Sequence, residues 1–252
     1  MVYTPQLFII DVLLILVAYF YVGLTIIIPM QLKKKEIITK FQARKSVHLT
    51  AGLTVLVTPF FTWSWFAVII AGSLTVLTLL SSKNSKVKTL KELYDSIGEE
   101  AEEKVGFLEG PFHYCLSITL LVAIFVVFSP SQMYFPIAGI LIMIISDTLA
   151  SLVGKKYGKL GLNIPWTGTR RTVEGSLTFL ISAFLLCFGA FWLFGYFNHI
   201  TQIHITFQGV LIFALVTSLL ATGIELISPS TWDDLTVPIL TTIVIWLLSF
   251  LA

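Results

Sequence analysis

Charged residues are scarce in this chain. Asp, Glu, Lys and Arg make up 12% of its 252 residues, whereas they make up about 25% of a typical soluble domain. Hydrophobic residues make up 56%, and the mean hydropathy is +0.92. The shortage of charge excludes an ordinary water-exposed surface, so we expect most of the surface to face lipid.

Cysteines and targeting signals are also few or lacking. Cys115 and Cys187 lie inside apolar runs, which argues against a disulfide framework, and no Cys/His spacing is typical of a zinc site. The N-terminus carries neither the basic segment of a signal peptide nor an Arg- and Ser-rich transit peptide. We therefore expect a chain that is complete as encoded and lies in a prokaryotic cell membrane. The net charge of +2 does not indicate a nucleic-acid partner.

Long apolar runs are abundant instead. A transmembrane helix needs about 20 mostly apolar residues. The second candidate run is short and has Pro59 near its end, so it could be re-entrant or tilted, which would reduce eight spans to seven. We predict an all-α, polytopic integral membrane protein that forms a single domain over residues 1–252. The eight candidate spans are Leu7–Met30, Val47–Phe60, Trp63–Leu80, Pro111–Phe128, Tyr134–Val153, Gly175–Phe197, Phe207–Ile227 and Thr236–Leu251.

The basic residues are confined to alternate loops. All 16 Lys and Arg residues lie between the first and second, the third and fourth, or the fifth and sixth candidate spans. The positive-inside rule makes these loops cytoplasmic. We therefore predict that both termini are outside, if there are eight helices, and that the cytoplasmic loops carry the active site.

The charged segment 82–105 has a helical pattern of apolar residues. Tyr94, Ile97, Ala101 and Val105 recur at steps of three or four residues, and Glu100 and Lys104 form an i,i+4 pair. This pattern predicts an amphipathic helix on the cytoplasmic membrane interface. A solvated helical linker is the open alternative.

Acidic residues inside membrane spans need a physical reason, because each costs roughly 2.5–3.5 kcal/mol on insertion scales. In the predicted topology, Asp147, Glu174 and Glu225 all lie towards the cytoplasmic ends of their spans. Asp11 lies alone in the outer half of the first span, where we expect a structural role. Helix packing could gather the cytoplasmic group into one polar cavity, although each member also has a purely structural interpretation.

Several residues flanking the spans add to this group. His48 and Glu109 open spans from the cytoplasmic side, and Asp233 and Asp234 occupy the last cytoplasmic loop. Carboxylates together with Lys and Arg suit a divalent metal bound with a polyphosphate. The loop from Gly154 to Lys159 resembles a phosphate cradle, but its spacing is not that of a Walker A loop. We assign no role to the three remaining histidines, which are His113, His199 and His204.

Five stretches of the chain, taken together and in order, resemble the polyprenol kinase family, which includes dolichol kinase, phytol kinase and CTP-dependent diacylglycerol kinase. They span most of the chain, and the second departs furthest from the family pattern. Ser146 also replaces the family's usual glycine. The stretches are Arg44-Lys-Ser-Val-His48, Glu109-Gly-Pro-Phe-His-Tyr114, Ser146-Asp-Thr-Leu-Ala-Ser-Leu-Val-Gly-Lys-Lys-Tyr-Gly158, Thr169-Arg-Arg-Thr-Val-Glu-Gly-Ser176, and Glu225 with Asp233-Asp-Leu-Thr-Val-Pro238.

The resemblance implies transfer of the terminal phosphate of a nucleoside triphosphate, CTP in this family, to a lipid alcohol. The acceptor would be an isoprenoid alcohol such as phytol, dolichol or a polyprenol, or else diacylglycerol, and Mg²⁺ or another divalent cation would assist. It also implies a set of site residues. These are Asp147, Glu174 and Glu225 as catalytic residues; Asp147, Asp233 and Asp234 as metal ligands; and Arg44, Lys45, His48, Gly154, Lys155, Lys156, Gly158, Arg170, Arg171 and Gly175 as nucleotide-binding residues.

Two other functions stay open. The phosphatidate cytidylyltransferases also use CTP, but their C-terminal signature, which includes a His-Gly-Gly and an Asp-Arg, is absent from this sequence. A transporter would place ionisable residues near the middle of the membrane, often on broken helices. Here they gather at one end of the spans, which favours the kinase.

Overall fold

The computed structural model describes residues 4–98, 102–168, 170–197, 201–229 and 232–250. Their regular structure is helical apart from one short hairpin, which confirms the all-α class. The α-helices are α1 (Pro5–Lys34), α2 (Lys40–Gly52), α3 (Trp65–Leu80), α4 (Lys88–Ile97), α5 (Glu102–Val105), α6 (Glu109–Phe128), α7 (Tyr134–Leu141), α8 (Asp147–Tyr157), α9 (Val173–Ala190), α10 (Phe207–Ile227) and α11 (Asp233–Leu248).

The remaining elements are short. Leu53–Phe60 and Pro130–Gln132 are 3₁₀ segments, and Ile142–Ser146 and Phe191–Phe197 are π-helical. Strands β1 (Gly161–Asn163) and β2 (Arg170–Thr172) form an antiparallel pair in which Leu162 lies opposite Arg171.

The chain is an integral membrane protein. Among the described residues, five continuous helices are long and apolar enough to cross a membrane. The predicted number of seven or eight spans is not confirmed. Two further apolar helices, α3 and α11, have 16 residues each, which is fewer than the roughly 20 residues that a membrane span needs. The five long helices are Pro5–Lys34, Glu109–Phe128, Tyr134–Tyr157, Val173–Phe197 and Phe207–Ile227.

The second predicted span is not a single helix in the structure. Helix α2 begins at Lys40, well before the predicted start, because Thr39 and Gln42 form a capping box there. The Gln42 N–H donates to the Thr39 hydroxyl at 3.2 Å, and the Thr39 N–H donates to the Gln42 side chain at 2.9 Å. The chain then changes to a 3₁₀ conformation over Leu53–Phe60. Polar residues of α2 therefore share one helix with the beginning of the predicted apolar run.

The chain divides into two compact units, Met1–Ala123 and Ile124–Ala252, whereas the sequence predicts a single domain. In the first unit α1 packs against α2, α3 and α4. In the second unit α9 packs against α8 and α10, and α11 packs against α7 and α10.

The apolar face of the segment 82–105 packs against protein. Leu93, Tyr94 and Ile97 of α4 are buried in one cluster with Ala43 and Leu108. The structure therefore places Tyr94 and Ile97 of this stripe in the core of the first unit, where the sequence predicted contact with the membrane interface, whereas Val105 is exposed. Burial, followed by the nearby acidic side chains, raises the pKa of Tyr94 above its usual value. Glu100 and Ala101, which the sequence included in this helix, lie outside the described residues.

Asp11 has the structural role that its isolated position predicts. Its side chain is fully buried, and its two carboxylate oxygens accept the backbone N–H groups of Thr62 and Trp63, each at 2.9 Å. These two residues precede α3, so the carboxylate satisfies backbone donors of the loop that leads into that helix.

Candidate active site

A small polar cavity in the second unit collects four of the predicted acidic residues. Its volume is about 10 Å³, close to the smallest volume that admits one water molecule, about 10–15 Å³. It is therefore large enough for a single ion or water molecule, and a nucleotide could reach only its edge. The lining residues are Met143, Asp147, Phe179, Glu225, Asp233, Asp234 and Val237.

The position of Asp147 depends on a wide helical turn that the sequence did not predict. Residues Ile142–Ser146 form a π-helical segment between α7 and α8, and the Asp147 N–H donates to the carbonyl of Ile142, five residues earlier. A π turn holds one more residue than an α-helical turn, so the side chains after it lie on a different face of the helix. Such turns are frequent at functional sites. Here the turn ends at the first acidic residue of the cavity.

Arg171 is the cation of this cluster. It lies on β2, its Nε atom is 3.1 Å from Glu225 Oε1, and its Nη2 atom is 3.7 Å from Asp233 Oδ2. Nη2 also donates to the backbone carbonyl of Ser228 at 3.0 Å. One guanidinium therefore connects the hairpin to the end of α10 and to the start of α11.

Two buried polar atoms at this cluster have no hydrogen-bond partner within the described part of the chain. They are Nη1 of Arg171 and Oε2 of Glu225. An unpaired buried polar atom is costly, more so when it belongs to a charged group. The cluster therefore offers one donor and one acceptor to a molecule that binds there.

The carboxylates have the right chemistry for a hard divalent cation. Oxygen atoms of Asp147 and Asp234 lie within 4.8 Å of each other, and Glu225 and Asp233 line the same cavity. Like charges at this separation repel each other in a buried site, and a bound cation relieves the repulsion. Mg²⁺ is usually held by one or two carboxylates, with water and substrate phosphates completing its shell. The residues present fit such an ion.

Glu174, a predicted catalytic residue, lies elsewhere. It is the second residue of α9, and its Oε1 atom accepts the backbone N–H groups of Lys159 at 3.0 Å and Leu160 at 3.4 Å. It is not among the described residues that line the cavity. This position favours a structural role, in which the carboxylate holds the loop after α8 against the start of α9.

The glycines predicted to bind the nucleotide, Gly154 and Gly158 of the phosphate-cradle loop and Gly175 of α9, pack closely around Thr172. A side chain at Gly158 would overlap the Gly154 carbonyl, and its Cβ would lie 2.5 Å from Thr172 Cγ2. A Cβ at Gly175 would lie 3.0 Å from Thr172 Oγ1 and 3.1 Å from the carbonyl of Ala150. Thr172 in turn caps α9 by accepting the Gly175 N–H at 3.1 Å. Close packing of α8 and α9 therefore accounts for the glycines at these positions.

The other predicted cations of this unit are exposed. Lys155 and Lys156 lie in the last turn of α8, and Lys156 Nζ is 5.1 Å from the centre of the Tyr157 ring. Arg170 lies on β2, with its guanidinium close to Gly161. These side chains present positive charge at the surface of the unit, and they do not line the cavity.

In the first unit, Arg44 is engaged in a buried ion pair that the sequence did not reveal. Its Nη1 atom lies 2.9 Å from Glu102 Oε2 and donates to the Ile97 carbonyl at 3.3 Å. The other carboxylate oxygen of Glu102 accepts the Gly110 N–H at 2.9 Å. The two side chains are 16% and 5% exposed. Arg44 therefore connects α2, the end of α4 and the start of α6, which favours a positioning role over the predicted contact with the nucleotide.

His48 lies close to a second contact between α2 and α6. The Tyr114 hydroxyl donates to the His48 carbonyl at 2.8 Å, and the two rings are 4.4 Å apart. Lys45, also on α2, is partly buried. The first two motif stretches, far apart in the sequence, are thus neighbours in the first unit. Because Glu102 is 58 residues from Arg44 and belongs to no motif, spacing could not have identified it.

Trp166 is another residue that the sequence patterns did not single out. It lies in the loop of the hairpin, it is 65% exposed, and its indole N–H donates to the carbonyl of Ile227 at 3.0 Å. The next carbonyl, that of Ser228, accepts from Arg171. The hairpin is thus bound at two consecutive carbonyls to the end of the helix that carries Glu225.

Known proteins with similar sequences identify the family of this chain. The chain is 30% identical to the dolichol kinase of Saccharomyces cerevisiae over 192 residues, which are 73% of this chain and 35% of that protein. It is 29% identical to the phytol kinase of Synechocystis sp. over 233 residues, which are 92% of this chain and 89% of that protein. The chain belongs to the polyprenol kinase family.

Membership of the polyprenol kinase family confirms the resemblance that the five stretches indicate. A third relative, the probable phytol kinase 3 of Glycine max, is 30% identical over 215 residues, or 82% of this chain and 62% of that protein. The chain spans about a third of the yeast dolichol kinase, and most of the Synechocystis phytol kinase. No protein-family model and no solved structure matches it.

Proposed function

We propose that this protein is a lipid-alcohol kinase that transfers the terminal phosphate of a nucleoside triphosphate, CTP by family resemblance, to a membrane lipid alcohol. The acceptor would be an isoprenoid alcohol such as phytol, dolichol or a polyprenol, or else diacylglycerol. The observation that carries the proposal is the cavity where Asp147, Glu225, Asp233 and Asp234 meet Arg171. The names of the relatives, dolichol kinase and phytol kinase, support the same chemistry.

Asp147 and Asp234, assisted by Asp233, would hold Mg²⁺ or another divalent cation. When bound, such a cation neutralises negative charge on the phosphates. The small volume of the cavity, about 10 Å³, admits the ion but not the nucleotide. The triphosphate would therefore lie at the edge of the cavity. There the nucleotide could arrive from water and the lipid alcohol from the bilayer.

The side chains of the second unit would divide the work of phosphate binding. Nη1 of Arg171 is buried and unpartnered, so the triphosphate would have to displace the atoms that cover it. Nη1 would then donate to a phosphate oxygen while the other guanidinium atoms stay bound to Glu225 and Ser228. Lys155, Lys156 and Arg170 are exposed and would attract the triphosphate as surface charges. Lys45 and His48 stay nucleotide-binding predictions that rest on the family resemblance.

Asp147 would act as general base as well as a metal ligand. In the proposed step, the lipid hydroxyl oxygen attacks the terminal phosphorus and its proton passes to Asp147. The bond between that phosphorus and the bridging oxygen breaks, and the nucleoside diphosphate leaves. The reaction is mostly positioning and charge stabilisation, so a rigid acidic pocket with one buried guanidinium suits it.

Labelled nucleotides test the proposal directly. The purified chain in lipid nanodiscs would be incubated with Mg²⁺, a panel of lipid alcohols, and CTP or ATP carrying a label on either the terminal or the innermost phosphate. A kinase transfers only the terminal label to the lipid and releases nucleoside diphosphate. Lipid that carries the innermost label, together with released pyrophosphate, would instead establish a cytidylyltransferase.

A further inference from the structure

A basic pocket lies where α1 ends and α2 begins. It has a volume of about 480 Å³, which falls within the size range of small-molecule sites, about 300–1,000 Å³. Three lysines and one glutamate line it, and none of the lining residues belongs to the five family stretches. We call it the α1–α2 pocket, and its lining residues are Lys33, Lys34, Glu36, Ile37, Ile38, Thr39 and Lys40.

The backbone of this pocket is fixed by hydrogen bonds at two helix ends. At the end of α1, the Ile37 N–H donates to the Leu32 carbonyl at 3.0 Å and the Glu36 N–H donates to the Lys33 carbonyl at 2.9 Å. This is the Schellman arrangement, and Glu36 takes the left-handed position with a φ of 58°. On the other side, the capping box of Thr39 and Gln42 begins α2. The lysines therefore project from a preformed turn.

The pocket also combines charge with an exposed apolar side chain. It follows the last turn of α1, a 30-residue apolar helix that can cross a membrane. Ile37 is 64% exposed between the lysines. A basic cluster directly beside a transmembrane helix attracts anionic lipids, and the start of α2 adds the positive end of a helix dipole. The apolar side chain suits the boundary between the headgroups and the acyl chains.

We propose that the α1–α2 pocket binds the headgroup of an anionic phospholipid. The lysines contact the headgroup phosphate, and Ile37 contacts the adjoining acyl region. The proposal does not depend on the chemistry of the acidic cavity, so the two can fail separately.

The test compares two lysine triples with the same change of charge. The pocket variant is Lys33→Gln/Lys34→Gln/Lys40→Gln, and the control is Lys83→Gln/Lys86→Gln/Lys91→Gln, whose lysines are exposed on another segment. The full chain in a neutral detergent is titrated with phosphatidylglycerol or phosphatidylcholine, and the melting temperature is measured. A ligand that binds only the folded state raises this temperature. We expect phosphatidylglycerol to stabilise the wild type and the control, and the pocket variant to need roughly tenfold more of it.

Further measurements keep the outcome decisive. The proposal would be overturned if the two triple variants needed the same phosphatidylglycerol concentration for half-maximal stabilisation. Tripolyphosphate stabilisation that depends on the pocket lysines while the phosphatidylglycerol response does not would also overturn it, because the pocket would then bind free phosphate. If the pocket triple does not fold, Glu36→Gly provides the test, since glycine suits the left-handed turn and removes the one negative charge. This variant should bind phosphatidylglycerol several-fold more tightly, and unchanged binding would contradict the proposal.

Discussion

Arg171 and Glu225 form an ion pair, with 3.1 Å between Nε and Oε1, in which the two side chains are only 9% and 11% exposed. Burying two charges costs more desolvation energy than most ion pairs return. Each partner also keeps one buried atom, Nη1 or Oε2, without a hydrogen-bond partner in the described residues. A pair that serves stability alone gains nothing from such atoms. The arrangement is instead suited to ligand binding, with Arg171 Nη1 available to a phosphate and Glu225 Oε2 available to a cation.

Glu225→Gln tests the cation side of this pair. Glutamine keeps an oxygen that can accept from Arg171 Nε, but it removes the negative charge beside Asp147 and Asp233. Changes next to metal ligands typically cost ten- to a hundredfold in metal affinity. We expect the Mg²⁺ concentration for half-maximal activity to rise by roughly tenfold or more, as measured by titrating Mg²⁺ at saturating nucleotide. Glu92→Gln, on the surface-facing side of α4, is the matched control, and an unchanged titration for Glu225→Gln would exclude this residue from the cation site.

Substitution of Arg44 distinguishes a positioning role of this side chain from a nucleotide-binding role. Arg44→Met alone removes the guanidinium that compensates the buried charge of Glu102, which should lower the free energy of unfolding by about 3–5 kcal/mol. Arg44→Met/Glu102→Met removes both charges and should recover much of this loss. Chemical denaturation of the two variants measures the difference.

The double variant also provides the functional comparison for Arg44. If Arg44 acts only through the ion pair with Glu102, the double variant should keep a near-normal KM for the nucleotide. A KM raised by tenfold or more in a double variant of recovered stability would restore Arg44 to the nucleotide site.

Two glycines of α9 should respond in opposite directions to the same substitution. A Cβ at Gly175 would lie 3.0 Å from Thr172 Oγ1 and 3.1 Å from the Ala150 carbonyl, whereas a Cβ at Gly189 would have no atom within 4 Å. Gly175→Ala should therefore destabilise the protein by about 1–3 kcal/mol through overpacking. Gly189→Ala should stabilise α9 by up to about 1 kcal/mol through helix propensity. Thermal unfolding of both variants measures the signs, and stabilisation by Gly175→Ala would show that α8 and α9 do not need this close approach.

The acidic cavity was largely predictable, because an acid inside an apolar run needs a physical reason and few acids occur there. Asp147 and Glu225 stood out on that ground, and the structure brings them together with Asp233 and Asp234 in one cavity. Arg171 was predicted as a phosphate ligand, and its position at the carboxylates follows from the hairpin. The apolar runs likewise predicted the long helices, since hydrophobic length alone identifies a membrane span.

Other features depend on tertiary contacts that no local pattern records. Glu102 becomes important only because α2 and α6 approach each other, and its charged segment gave no sign of this. Glu174 looked like a catalytic acid, but backbone N–H groups of a neighbouring loop occupy one of its oxygens. The glycines after Asp147 looked like a phosphate cradle, although helix packing explains them. The apolar run Ile142–Ser146 gave no signal for the π turn before Asp147.

The most direct test of the central claim is phosphoryl transfer by Asp147→Asn. Terminal-phosphate label from CTP would be followed into the lipid alcohol, in parallel with thermal unfolding and nanodisc incorporation. Asp95→Asn, a substitution at an exposed aspartate of α4, is the control. The proposed mechanism predicts that Asp147→Asn inserts and folds normally but loses transfer by at least roughly a hundredfold, while Asp95→Asn stays near the wild-type rate. Transfer at the wild-type rate by Asp147→Asn would contradict the assignment of the acidic cavity as the catalytic centre.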